Sequence, residues 1–292
     1  MGGDTLKTID TLIHDIYNTL ETKSYGEDVH PEEICARFGS VCADILREQL
    51  DARDNRGRLR LSAIGKPDRQ LYNQYHGVEG EPLRGPTYLK FMYGHIVEAL
   101  LLSLVELSGH RVRDNQKEVQ VEGVKGHIDG YIDDVLMDVK SCSSFGFKKF
   151  RNNTLHVDDP FGYVAQLRSY AHAEGQDTYG WLAMDKTTGA LAWLQYHEPA
   201  PEGAPYADAI TWSVPDRVKH VKKLVDGPLP SVCYEPVPDG KSGNMQLATG
   251  CRWCDYKAVC WPELQVYKYS NGLRYLTKVV KAPNVVGIPK EF

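Results

Sequence analysis

The chain has 292 residues, 42% of them hydrophobic and 25% charged, with 34 Lys and Arg set against 39 Asp and Glu. That is the mix of an ordinary soluble protein of one large or two small domains. A net charge of −5 excludes a generally basic nucleic-acid coat protein, though not a locally basic groove. No apolar run reaches the roughly 18 residues of a membrane span; the nearest, 96–107, contains Glu98 and Glu106. The opening Met1-Gly2-Gly3-Asp4 lacks the basic-then-apolar layout of a secretory signal, so a cytoplasmic chain with no membrane partner is expected. Seven cysteines, an odd number, argue against a disulfide framework.

In chain order, Leu6, Ile9, Leu12, Ile13, Ile16 and Leu20 recur at helical spacing. A second helix opens after His30, with Pro31 in its first turn and an apolar stripe of Ile34, Phe38, Val41, Cys42, Ile45 and Leu46. Polar, Arg-rich 51–60 reads as a loop, 69–75 as a short helix, and 77–86 as a connector. A long helix over 88–108 ends at Gly109. Strands follow at 117–122, 126–132 and 135–140, the last two joined by an Asp133-Asp134 turn. A helix at 161–173, strands at 178–184 and 190–196, and a helix at 215–225 complete the pattern. This order implies an α/β domain on a mixed sheet. From Gly227 the chain is rich in Pro, Gly and Cys, a tail that needs a staple. The boundaries drawn are an N-terminal helical region 1–85, a core 86–226 and a Cys-rich tail 227–292.

Chemistry concentrates on two of those strands. Asp138-Val139-Lys140 lies near the end of the third strand, where residues two apart share a face. Pairing through the Asp133-Asp134 turn sets Asp129 beside Asp138. Like charges opposite one another destabilise a sheet unless something neutralises them, and a divalent cation such as Mg²⁺, which favours carboxylates plus phosphate oxygens, would do so. Lys140 alongside could polarise or deprotonate an attacking water. Glu98, on the buried side of the long helix, is the expected third carboxylate, with His95 as the rival ligand.

Asp129 with Asp138-Val139-Lys140 resembles the signature of the PD-(D/E)xK nucleases, and most closely their RecB-type exonuclease branch. That branch carries four motifs, found here in order as Gly94-His95-Ile96-Val97-Glu98, Gly126-His127-Ile128-Asp129, Asp138-Val139-Lys140 and Gln166-Leu167-Arg168-Ser169-Tyr170. The resemblance implies a restriction-endonuclease-like core of helix, three-stranded antiparallel hairpin sheet, helix and strand. It also implies one or two Mg²⁺ or Mn²⁺ held by Glu98, Asp129, Asp138 and the Val139 carbonyl. Lys140 would then orient the water, Gln166 and Tyr170 would steady the phosphate or the lysine, and the DNA product would carry a 5′-phosphate.

The spacing of Cys251, Cys254 and Cys260, C-x₂-C-x₅-C, gives three thiolates to one metal or cluster. It resembles the iron–sulfur staple of the CRISPR-adaptation nucleases and AddB, of the same branch. In those the fourth ligand lies upstream of the core, but here 64–72 contains no Cys. Cys233 ranks first as the fourth ligand and Cys35 second; Cys42 and Cys142 read as core thiols. Thiolates suit either Zn²⁺ or iron–sulfur, and the resemblance favours a structural 4Fe-4S cluster.

DNA, as single strands or ends, is the expected partner. Its phosphates need local positive charge. Lys148, Lys149 and Arg151 lie beside the site, with Phe145, Phe147 and Phe150 interleaved as stacking candidates. Arg217, Lys219, Lys222 and Lys223 form a second basic group, and Arg53, Arg56, Arg58 and Arg60 a third. The expected activity is metal-dependent exonucleolytic hydrolysis. The alternatives are a structure-selective endonuclease on the same core and a DNA-binding recombination accessory whose nuclease site is vestigial.

Overall fold

The computed structural model describes residues 7–26, 28–50, 56–196 and 212–288; Leu6 of the first predicted helix and Arg53 of the Arg-rich run lie outside them. The chain divides into two compact units. The first takes residues up to 53, then 60–65 and 85–218; the second takes 54–59, 66–84 and 219 onward.

The first unit is a mixed α/β layer structure, as its element order predicts. Helices α1 (Leu12–Thr22), α2 (Pro31–Leu50) and α4 (Gly85–Leu107) come from the N-terminal stretch, while α3 (Asp68–Tyr75) belongs to the second unit. Strands β1 (Val112–Arg113), β4 (Gly130–Ile132), β5 (Val135–Cys142), β6 (Tyr179–Asp185) and β7 (Leu191–Gln195) form one sheet in the order β1-β4-β5-β6-β7. Only β5 and β6 run parallel; the other neighbours are antiparallel. The connection between that parallel pair carries α5 (Ser144–Arg151) and α6 (Tyr163–Glu174), the crossover that parallel pairing requires.

The single strand expected over 126–132 is two. β3 (Val124–His127) pairs with β2 (Glu118–Val121) as a separate hairpin, and β4 pairs with β5. Between them the chain turns at Ile128 and Asp129. Gly130, at φ 147, sits where an added Cβ would meet the Arg113 carbonyl at 3.1 Å. The Asp133-Asp134 turn forms as expected, with both residues at positive φ, the backbone of a two-residue type I′ hairpin.

One face of β5 supplies Met137 and Val139 to a core shared with Leu12, Ile16, Val97, Leu101, Leu102, Val105, Ile132 and Leu182. By length and hydropathy α4 matches a membrane span; its inner face is built into that core. α2 also lies against α4, yet within its stripe only Ile34 is fully buried, Val41 and Leu46 are exposed, and Cys42 is half-buried rather than core. Helical spacing sets which side of a helix is apolar, not how deep that side sinks.

The tail, expected to form little core without a staple, carries a sheet of its own in the second unit. β8 (Val237–Pro238), β9 (Met245–Gln246), β10 (Gln265–Tyr269), β11 (Gly272–Lys278) and β12 (Gly287–Ile288) form an antiparallel sheet, ordered β12-β10-β11-β9-β8. Leu247, Leu264, Val266 and Leu276 are buried on or beside it.

A buried imidazole pins the first unit. His110 Nδ1 lies 2.6 Å from Asp133 Oδ2 in the hairpin turn, and its Nε2 lies 3.0 Å from Asp15 Oδ2 on α1. Asp133 also accepts from the Arg111 N–H at 3.1 Å. Replacing the ring takes one partner from each carboxylate, Asp133 keeping the Arg111 N–H and Asp15 keeping Thr11 Oγ1, a loss of order 1–3 kcal/mol. His110→Ala is therefore expected to lower Tm by roughly 5 °C; an unchanged melting curve would show that the clamp contributes nothing.

Candidate functional site

The turn at Asp133-Asp134 does what its position in the sequence predicts. Register pairs Gly130 with Met137 and Ile132 with Val135, so Asp129, one residue before β4, meets β5 at Asp138. Asp129 Oδ2 accepts from the Val139 N–H at 2.7 Å. Asp138 is buried, and its Oδ2 pairs with Lys140 Nζ at 2.5 Å. Glu98 reaches the group from α4, its Oε1 accepting from Gln116 Nε2 at 2.7 Å; His95 Nδ1 stands 3.9 Å from Glu98 Oε2.

The electrostatics of the cluster follow from crowding. Burial, then Asp138 and Glu98, push Asp129 well above the ordinary carboxylate range. Burial also raises Asp138; Lys140 pulls it down and Glu98 adds to the rise. Burial alone would lower Lys140, but Asp138 and Asp129 outweigh it and hold the ammonium above the usual lysine value. Lys140 thus stands as the countercharge of both aspartates. It occupies Asp138 while Gln116 holds Glu98, and among the described residues no three His, Cys, Asp or Glu converge on one point as metal ligands do.

α6 closes the group. Gln166 Nε2 lies 3.3 Å from both Asp138 Oδ1 and Tyr170 Oη, the meeting that their four-residue spacing allows. Tyr170 is buried, and burial followed by Asp138 raises its hydroxyl above the usual tyrosine value. Its ring explains a glycine: an added Cβ at Gly126 would lie 2.6 Å from Tyr170 Cε1 and 2.9 Å from Leu61 Cβ. At Gly94 the nearest atom would be Ser141 Oγ at 3.8 Å, ordinary contact. Of the two motif glycines, then, Gly126 is needed for space and Gly94 is not.

The remaining candidates are placed as follows. Lys148 and Arg151 face solvent on α5, whereas Lys149 Nζ is bound to the carbonyl of Asp158 at 2.8 Å and to its carboxylate at 2.6 Å. Phe147 and Phe150 are buried and do not stack on a ligand, because α5, a helix the sequence reading left out, turns them inward; Phe145 is exposed. Arg217 is buried, its Nε donating to the Ile64 carbonyl, so the late basic group keeps only its lysines at the surface.

In the second unit, Cys233, Cys251, Cys254 and Cys260 line one cavity with Asn73 and Trp261. All seven cysteines are free, and Cys35 lies exposed on α2. Burial raises the thiols of Cys251 to about 12 and Cys254 to about 11, and the neighbouring thiols add to both. Burial raises Cys233 too, against N–H groups of Gln70 and Arg69 in the first turn of α3 that favour its thiolate. Asn73 Nδ2 and Trp261 Nε1 are buried with no hydrogen-bond partner among the described residues. These lone donors in the wall, Asn73 above all, are what spacing could not reveal.

A Cβ at Gly126 must displace Tyr170 or Leu61, while one at Gly94 need not move anything. Gly126→Ala is expected to destabilise the fold by about 1–3 kcal/mol and to disturb Gln166 and Asp138, with Gly94→Ala close to wild type; thermal melts of both chains check this, and equal melting would refute the packing.

No family model matches the chain, and no curated protein does. Among solved structures it is similar to SSO0001, at 13% identity and a TM-score of 0.38 over 76% of this chain and 95% of that one. It is also similar to an alkaline exonuclease, LHK-Exo, from Laribacter hongkongensis, at 10% identity and a TM-score of 0.33, covering 63% and 94% of the two chains. The same exonuclease in complex with dAMP gives 11% and 0.38, over 63% and 94%. At such scores the side chains, rather than the likenesses, must carry the chemistry.

Proposed function

We propose that the Glu98, Asp129, Asp138 and Lys140 cluster hydrolyses DNA phosphodiester bonds with Mg²⁺ or Mn²⁺, acting as a cytoplasmic exonuclease on single strands or ends. The observation that carries this is a surplus of carboxylate at one spot: Asp129 and Asp138 lie side by side against the Lys140 ammonium, and Glu98 adds its charge from α4. Hard oxygen donors in that surplus fit a hard divalent cation, held by Glu98, Asp129, Asp138 and the Val139 carbonyl. Bound there, the ion supplies a Lewis acid for the scissile phosphate. The protein's own groups do the rest. Lys140 Nζ donates to a phosphate oxygen or to the attacking water, Asp129 is fixed by the Val139 N–H, and Gln166 fixes Asp138 and Tyr170. Lys148 and Arg151 offer exposed charge to neighbouring phosphates.

For the cysteine cavity the proposal is a structural 4Fe-4S cluster on Cys233, Cys251, Cys254 and Cys260, with Zn²⁺ as the second reading. The four thiols suit either. The buried Asn73 and Trp261 donors favour the cluster, because its sulfides add acceptors that a lone zinc lacks. Cys233 takes the fourth position ahead of Cys35 because it shares the cavity wall.

Labelled linear DNA should be degraded with Mg²⁺ and spared with EDTA, and a covalently closed circle should survive; cleavage of the circle would favour the endonuclease. Asp138→Ala should abolish cleavage while DNA binding persists, and Gln166→Ala, an outer partner of that carboxylate, should slow it about 10–100-fold. A parent chain that binds DNA without cutting it would support the accessory reading. Anaerobically purified protein should be brown, Cys233→Ala should lose the colour and Cys35→Ala should keep it; colourless protein with stoichiometric zinc would settle the metal the other way.

A further inference from the structure

We infer that Phe161 is a stacking platform for an unpaired nucleobase of the substrate strand, beside the carboxylate cluster; the inference rests on the phosphodiesterase reading of that cluster. Lys140 Nζ lies 5.0 Å from the centroid of the Tyr163 ring. Tyr163 in turn stacks on Phe161, with centroids 5.5 Å apart and planes at 29°. The series runs from ammonium to ring to ring and then to solvent, since Phe161 is 53% exposed. Its ring centroid therefore lies no more than 10.5 Å from the ammonium.

The exposed ring is not on a loose loop. Asp159, buried just ahead of α6, accepts from the Tyr163 N–H at 3.0 Å and the Val164 N–H at 2.8 Å, and the Phe161 and Gly162 N–H groups also bear on it. Gly162 adopts φ 75 against Gly65, where an added Cβ would come within 3.0 Å of backbone. Lys149 ties the preceding residue, Asp158, to α5, and Phe150 packs 6.4 Å from Tyr163. A side chain already immobilised loses little freedom when something binds it.

What fits its open face is flat and apolar, and must belong to a chain whose phosphate reaches Lys140. A nucleobase meets both conditions, with a π-face that every base shares. A base inside a duplex has its faces covered by neighbours, so the platform takes a single strand or a frayed end. Lys148 and Arg151, exposed on α5, provide charge for the same backbone.

The test uses the full chain carrying Asp138→Asn, so that DNA is bound and not cut. Affinity is measured for a short labelled oligothymidylate and for a strand of equal length built from abasic residues. Adding Phe161→Ala should weaken the base-bearing strand about tenfold and leave the abasic strand unchanged, while Phe161→Trp should restore the preference. Equal affinity for both strands in every chain, an equal loss on both in Phe161→Ala, or no binding of either strand by the parent overturns the inference. Failure of the wild-type chain to cut any DNA with Mg²⁺ would sink the nuclease reading, yet the strand comparison would still decide whether Phe161 stacks on a base.

Discussion

Asp129 and Asp138 face one ammonium, Lys140, with the charge of Glu98 added from α4, and the elements around them hold that under-neutralised group in place. Isolated buried charge is expensive, and removing one partner of a buried pair leaves the other stranded. The sheet meets this cost with fixed geometry. A two-residue turn sets Asp129 against Asp138, the Val139 N–H holds Asp129, and Gln166 holds Asp138. Lys140 shares their field and stays charged in spite of its burial. Such an arrangement gains little as a stabilising device, which is why it reads as a site.

The parts of this that were legible in the sequence are the parts set by short-range spacing. Period two put Asp138 and Lys140 on one face, the turn chose the register, and period 3.6 put Gln166 over Tyr170. What escaped depends on where the chain bends. The break at Ile128 and Asp129 looks like continuous strand because Gly126 and Gly130 give no sign of which one permits close packing and which one a positive φ. α5 was missed, although Ser143 caps it, its hydroxyl accepting from Gly146 N–H, and Phe147 and Phe150 fall three apart on its inner face. In the tail, Ser270-Asn271 ahead of Gly272 forms the two-residue hairpin turn between β10 and β11, a signal masked by the surrounding Pro and Cys.

Motif glycines show why spacing alone undervalues some positions and overvalues others. A sequence pattern marks Gly94 and Gly126 alike. Only Gly126 faces an aromatic ring and a leucine across a gap too small for one methyl group, and that ring is the one whose hydroxyl meets Gln166. The glycine therefore acts on the carboxylates at two removes, by allowing Tyr170 its depth.

The two candidate sites divide by donor softness. The carboxylates, an ammonium and a backbone carbonyl form a hard set; the four thiols with amide and indole N–H groups form a soft one. In both, burial sets ionisable groups away from their ordinary values, and neighbours of the same charge push further in the same direction. The difference lies in what stands against that pressure. The carboxylate cluster contains its own countercharge in Lys140, so it persists as a partly neutralised group. The thiol cavity has uncharged donors, with Asn73 and Trp261 still unspent. A net charge of −5 thus says little about DNA: part of it is Asp129 and Asp138, set against a lysine, while Lys148 and Arg151 stand exposed on α5.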